Sequence, residues 1–310
     1  MAIVPFHIVD AFADRPFTGN PAAIIPNATG LSEQEMLQIT DELSMEAGFI
    51  LPPGTAGADI RLRFFTQRRE AALSGHVALA AFASMADRGF YRVPPAGMKI
   101  KLETGVGILP VHLGLREDGR VQVTLDLPAP RFGEPVSAGE LAAVLGVSSA
   151  CLVYQGMGPQ RVSCGFDQIV VPVCERDVIR GEFRDSEAIG RLTDLRGVGG
   201  LTLVCPHTYS DEADFHLRFF HPRVGAQEDL ASGTSMGAAA AYLVHNKLVP
   251  VADEVAITTE QGHALGRPTL AQLRVDAPGG RVARVRLTGT GVVIMRGSFH
   301  FQRQVMQAEG

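Results

Sequence analysis

Short runs in which apolar and polar residues alternate interleave, along the whole chain, with longer runs whose apolar positions recur at helical spacing. Residues 3–12 are rich in strand formers and stop at the turn Asp14-Arg15-Pro16. Ser32 followed by Glu35 reads as a capping box and predicts a helix through about Leu43. Apolar runs at 47–51 and 60–65 predict strands, the second with period-two alternation. Residues 75–87 are alanine-rich and end ahead of Gly89, as a helix closing on a left-handed glycine does. Residues 121–127 alternate again; Pro128, Pro130, Gly133 and Pro135 then predict a rigid stretch that breaks strand structure. A domain boundary is expected between Leu115 and Pro135.

A weak internal repeat organises these elements. Leu62-Arg63-Phe64-Phe65 recurs as Leu217-Arg218-Phe219-Phe220, and Ser74-Gly75 recurs as Ser232-Gly233, each time opening an alanine-rich helix. Thr104-Gly105-Val106-Gly107 recurs as Thr288-Gly289-Thr290-Gly291, each leading into an apolar strand. The matches fall in the same order. They predict an α/β protein of two similar halves about a pseudo-twofold axis, with a ligand cleft between them. A helix N-terminus offers unpaired N–H groups and the positive end of the helix dipole, so two such starts facing one point would hold a carboxylate or an enolate. The plainer role for Ser74 and Ser232 is N-capping, with the glycines easing close packing.

Composition narrows the classes. The 310 residues fit one large domain or two ordinary ones, and 46% hydrophobic against 20% charged residues suits a globular protein with a real core. A net charge of −5 with no basic stripe argues against a nucleic-acid partner; Gln67-Arg68-Arg69, followed at once by Glu70, reads as a solvated loop. Cys151, Cys164, Cys174 and Cys205 form no C-x-x-C pair and read as reduced, mostly buried thiols. Residues 1–10 lack a basic and apolar leader pattern, and no window reaches the roughly 20 apolar residues of a membrane span, so a cytoplasmic protein is expected. Gly197, Gly199 and Gly200 do not lie between a strand and a helix, which argues against a dinucleotide site. His207, His216 and His221 are spaced like strand residues rather than metal ligands, and no metal or other cofactor is expected.

Four segments carry a family likeness. Gly19-Asn20-Pro21-Ala22-Ala23, Met45-Glu46-Ala47-Gly48-Phe49, Leu73-Ser74-Gly75-His76-Val77-Ala78 and Glu228-Asp229-Leu230-Ala231-Ser232-Gly233-Thr234 together resemble the PhzF-like phenazine-biosynthesis isomerases. Gln261-Gly262 and Gly266-Arg267-Pro268 extend the match almost to the end of the chain. The resemblance implies an α+β fold like that of diaminopimelate epimerase, each half wrapping a mostly antiparallel sheet around a central helix. The halves would be residues 1–118, completed by 298–310, and 119–297. It also implies a homodimer acting on a small anionic substrate. Glu46 would carry a proton between carbons, assisted by His76 and Asp229, with Asn20, Ser74, Gly75, Ser232, Gly233 and Thr234 around the substrate. Related racemases place a cysteine before each of these two glycines; here Ser74 and Ser232 stand there, and a hydroxyl cannot supply a thiolate base. Thr234 and Leu230 also replace the family's usual Ser and Pro, which bears on the substrate more than on the mechanism.

Each site residue also has a plain alternative. Glu46 could be an exposed turn carboxylate, or a group whose pKa is raised by burial in an apolar cleft so that it serves as base and then acid. His76 could satisfy local backbone, and Asp229 could cap a helix or orient a ligand amine or His76. Asn20 reads as a turn residue or a carboxylate donor, and Gln261-Gly262 as a hairpin or a ligand contact. Three functions stay open: a cofactor-independent isomerase shifting a proton on an unsaturated carboxylate, an epimerase, racemase or dehydratase of an amino or imino acid, and a non-catalytic ligand-binding protein.

Overall fold

The computed structural model describes residues 2–183, 185–223 and 227–302. The first part of the chain forms β1 (Ala2–Ala11), β2 (Asn20–Ile25), α1 (Glu33–Leu43), β3 (Ala47–Leu51), β4 (Ile60–Phe65), β5 (Glu70–Ala71), α2 (Gly75–Asp87), β6 (Met98–Thr104), β7 (Gly107–Leu115) and β8 (Val121–Asp126). It continues with β9 (Arg131–Pro135), α3 (Ala138–Leu145), β10 (Gln160–Ser163), β11 (Asp167–Pro172), α4 (Arg176–Ile179), α5 (Ser186–Arg196) and β12 (Gly200–Cys205). The last part is β13 (Phe215–Phe220), α6 (Gly233–His245), β14 (Glu254–Gln261), β15 (Thr269–Asp276), β16 (Arg284–Gly289) and β17 (Gly291–Phe301).

Strand pairing repeats between the halves. β2–β3 and β11–β12 are parallel pairs, as are β4–β6 and β13–β14. β3–β4 and β12–β13 are antiparallel, and so are β6–β7 and β14–β15. The two sheets join where β8 runs antiparallel to β16, from Arg286↔Asp126 to Gly289↔Val123. After β16 the chain returns to the first half, because β17 pairs with β1 from Ala11↔Gly291 to Ala2↔Phe301. The remaining residues of the expected closing segment, 303–310, lie outside the described residues. One expectation needs correction: the stretch around Pro128 to Pro135 does not break the sheet but carries β9. Pro128 and Pro130 precede that strand and Pro135 ends it, paired to β10. Proline is tolerated at such strand ends because no ladder N–H is lost in mid-strand.

Helices α2 and α6 follow from their alanines. Every residue from Gly75 to Met85 and from Gly233 to Val244 is buried. A helix without a polar stripe belongs inside, and small side chains let the surrounding strands approach. α1, by contrast, keeps only Met36, Ile39 and Thr40 buried and lies on the surface. Its capping box is complete: Ser32 Oγ accepts from Glu35 N at 3.2 Å while Glu35 Oε2 accepts from Ser32 N at 2.7 Å. One apolar cluster takes in both central helices, with Val77, Leu79 and Phe82 from one and Met236, Tyr242 and Leu243 from the other. The helices meet at their N-termini. A Cβ added to Gly75 would lie 3.1 Å from the Gly233 Cα, and one added to Gly233 would lie 2.5 Å from Leu287 Cδ2. A side chain at either position would force its neighbour to shift, so glycine suits both copies of the repeat.

Candidate active site

The meeting point of the tips opens into an inner chamber of about 70 Å³ and an outer one of about 340 Å³. Glu46, His76, His221 and Asp229 line both. Glu46 stands immediately before β3, and its carbonyl accepts from Ala23 N at 2.9 Å, so the β2–β3 pairing fixes its backbone. Its Oε2 accepts from Ser74 Oγ at 2.8 Å and lies 3.8 Å from His76 Nε2. Ser74 has one proton and gives it to Glu46. Towards His76 Nδ1, 3.3 Å away, it is therefore an acceptor, which puts the proton of a neutral ring on Nδ1 and leaves Nε2 as the lone pair beside Glu46. Glu46 stands between the two settings left open for it: its side chain is 28% exposed and is held by a polar partner.

The two Ser-Gly starts are not equivalent. Ser232 Oγ caps its helix by accepting from Ser235 N at 3.3 Å, with Thr234 Oγ1 3.2 Å away. Ser74 makes no side-chain cap bond because its hydroxyl is turned to Glu46. Residues of both helix starts, Ser74, Gly75 and His76 from one and Ser232 and Thr234 from the other, line the same small space. The first-turn N–H groups of a helix have no intrahelical acceptor.

Asp229 faces this pair from the second half. Asn20 Nδ2 donates to its Oδ1 at 2.8 Å and to the Ala231 carbonyl at 2.8 Å. Both amide hydrogens of Asn20 are thus committed to protein, so Asn20 positions Asp229 rather than donating that amide to a ligand. Gln261, fully buried, donates through Nε2 to the Asp229 carbonyl at 2.8 Å. Burial would by itself raise the Asp229 pKa. The adjoining His221, the nearby His76 and the Ala231 N–H overcome it and hold the carboxyl below its ordinary value. His221 Nε2 lies 3.6 Å from Asp229 Oδ2, and its ring stacks on Phe219.

Sequence reasoning missed His221, and it read Gln261 as no more than one of two alternatives. It also missed the grouping of His216, Glu260 and His263, whose ligand-type atoms lie within 4.8 Å of one another. Those three are the described residues best suited to a cation. Yet Glu260 Oε1 accepts from Tyr209 N at 2.6 Å and His216 Nδ1 at 3.0 Å, and Oε2 from Ser210 N at 2.9 Å. A carboxylate so engaged is arranged to anchor the segment before β13. Burial would raise the Glu260 pKa, but His216 and the two backbone donors hold it low.

The doubled sheet-around-helix halves with a cleft at the helix tips define a protein of the epimerase-like fold. A hydroxyproline epimerase from Agrobacterium vitis shares the fold, with a TM-score of 0.64 at 11% identity over 96% of this chain and 91% of that one. The chain belongs to the phenazine biosynthesis-like (PhzC-PhzF) family, whose model matches residues 9–297. A trans-2,3-dihydro-3-hydroxyanthranilate isomerase from Pseudomonas aeruginosa is 28% identical over 94% of this chain and 97% of its own length. The crystal structure of a PhzF-family protein from Bacillus anthracis superposes with a TM-score of 0.85 at 27% identity, covering 97% of this chain and all of the other.

Proposed function

We propose that the protein is an isomerase that shifts a proton between two carbons of a small unsaturated carboxylate, with Glu46 as the carrier. The observation that supports this best is the placement of the Glu46 carboxylate, 2.8 Å from Ser74 Oγ and 3.8 Å from His76 Nε2, where the two helix tips meet. The C–H bond breaks as the proton passes to the Glu46 carboxylate, and the electron pair moves into the unsaturated carboxylate as a dienolate. Protonated Glu46 then returns the proton to another carbon as the new double bond settles. Negative charge that builds on the ligand carboxylate is met by the N–H groups of both helix starts, a preorganised donor set. Ser74 keeps Glu46 aimed through its hydrogen bond, with His76 beside the carboxylate. A homodimer in the cytoplasm belongs to the same reading, and sedimentation of the purified protein checks the assembly.

The test uses trans-2,3-dihydro-3-hydroxyanthranilate in D₂O, followed by proton NMR. Glu46→Gln should lower deuterium entry and isomerisation by about 10²- to 10⁴-fold, the usual contribution of a positioned base. Undiminished exchange in that variant would remove Glu46 from the role.

A further inference from the structure

His221 carries an unanswered hydrogen bond. The residue follows β13, its side chain is 7% exposed, and its Nε2 is buried with no hydrogen-bond partner among the described residues. A buried polar atom left in that state costs about 1–3 kcal/mol, a cost that a ligand or water group at the same place relieves. The ring cannot turn away freely, since it stacks on Phe219 with centroids 4.8 Å apart and 14° between planes. His221 lines the space that Glu46, His76 and Asp229 also line, with its Nε2 buried beside Asp229.

Its neighbour sharpens the chemistry. Asp229 Oδ1 is taken by Asn20 and by Ala231 N, while Oδ2 stands 3.6 Å from His221 Nε2. At that separation the two atoms are too far apart for a good mutual bond. Their spacing suits one ligand atom bonded to both at about 2.8 Å, the usual hydrogen-bond distance, once the side chains that cover Nε2 make room for it. The pseudo-twofold gives no second copy of this pair: Thr66 follows β4 as His221 follows β13, and Ala71 takes the place of Asp229, pairing with Phe64 as Asp229 pairs with Phe219. The two-atom cradle exists on one side only, so it can orient a ligand that has a polar substituent on one side.

Resting on the isomerase reading, we infer that His221 is a specificity-determining residue, whose Nε2 acts with Asp229 Oδ2 to hold a single hydroxyl or amino substituent of the substrate. The carboxylate sits at the helix tips, the substituent in the cradle, and the ring between them faces Glu46. His221 thereby sets which unsaturated carboxylates enter in register, and it takes no part in the proton shift.

Calorimetric titration with three stable aromatic acids tests this apart from turnover: 3-hydroxyanthranilate, anthranilate and benzoate. Wild-type protein should bind the substituted acids roughly 10- to 100-fold more tightly than benzoate, the range expected for satisfying a buried polar atom. His221→Phe, which keeps the stack on Phe219, should erase that preference while benzoate affinity changes little; His221→Gln should restore part of it. Equal binding of the three acids to wild type, no binding of any, or a preference that survives His221→Phe in a protein melting like wild type would overturn the inference. Glu46→Gln should keep the preference, so loss of exchange in that variant and loss of selectivity at His221 report on separate claims.

Discussion

At the scale of single residues, the two serines of the repeat diverge although their sequence context is the same. Ser74 spends its hydroxyl on Glu46 and Ser232 spends its own on the helix start. Ser74→Ala should therefore lower kcat by about 10- to 100-fold with little change in melting temperature, since the lost bond orients the proton carrier. Ser232→Ala should cost about 1 kcal/mol of stability, the usual value for a lost N-cap, seen by urea denaturation. The N-cap at Ser232 was readable from Ser-Gly, whereas the bond from Ser74 to Glu46 was not. The motif shows that a helix begins, while the partner that claims the hydroxyl lies 28 residues away for Ser74. The same limit explains Asn20, whose amide is taken by Asp229 from 209 positions further on. His221 looked like any strand-end histidine because its meaning comes from an unmet bond in three dimensions.

Secondary-structure elements were far more legible. Ser32 and Glu35 announce α1 because a capping box is local chemistry, and the repeated Leu-Arg-Phe-Phe segments became β4 and β13. β9 was lost because prolines weigh against strands in a reading that cannot see a neighbouring β10. The helix-tip contact belongs to this scale too, since it binds two elements rather than two side chains. Gly75→Ala would place a methyl 3.1 Å from the Gly233 Cα, so the tips must separate. A stability loss of about 1–3 kcal/mol is expected, as for other overpacked contacts, with a raised KM because the donor groups no longer converge. Denaturation curves and steady-state kinetics on the same preparation measure both. A KM at the wild-type value would show that the tips need no such closeness to bind.

At the scale of the whole molecule, a partly exposed arginine paired with a buried carboxylate ties the lobes. Arg267, between β14 and β15, donates to Asp10 Oδ1 on β1 at 2.7 Å and to the Gly19 and Thr18 carbonyls. The Asp10 side chain is fully buried. Burial raises its pKa, although the Phe17 N–H and Arg267 pull it back. Arg267→Met would leave that carboxylate without its cation, at a cost of about 3–5 kcal/mol. The sign with pH follows: a raised acid binds its proton more readily in the folded state, so the contribution is favourable below the unfolded value of about 4 and is lost as pH rises through the folded one. The deficit of Arg267→Met should thus be larger at pH 8 than at pH 5 in thermal melts. A deficit independent of pH would mean that Asp10 is not what the arginine neutralises.

The outer chamber carries a consequence for throughput. The β8–β16 ladder joins the lobes through backbone hydrogen bonds, and the outer chamber is the approach to the site from solvent. Part of its lip is the tight turn in which Thr66 N bonds the Arg69 carbonyl at 2.9 Å, with the exposed Gln67 and Arg68 at its crest. Substitution at that lip should therefore change how readily ligand enters without touching the carboxylates within.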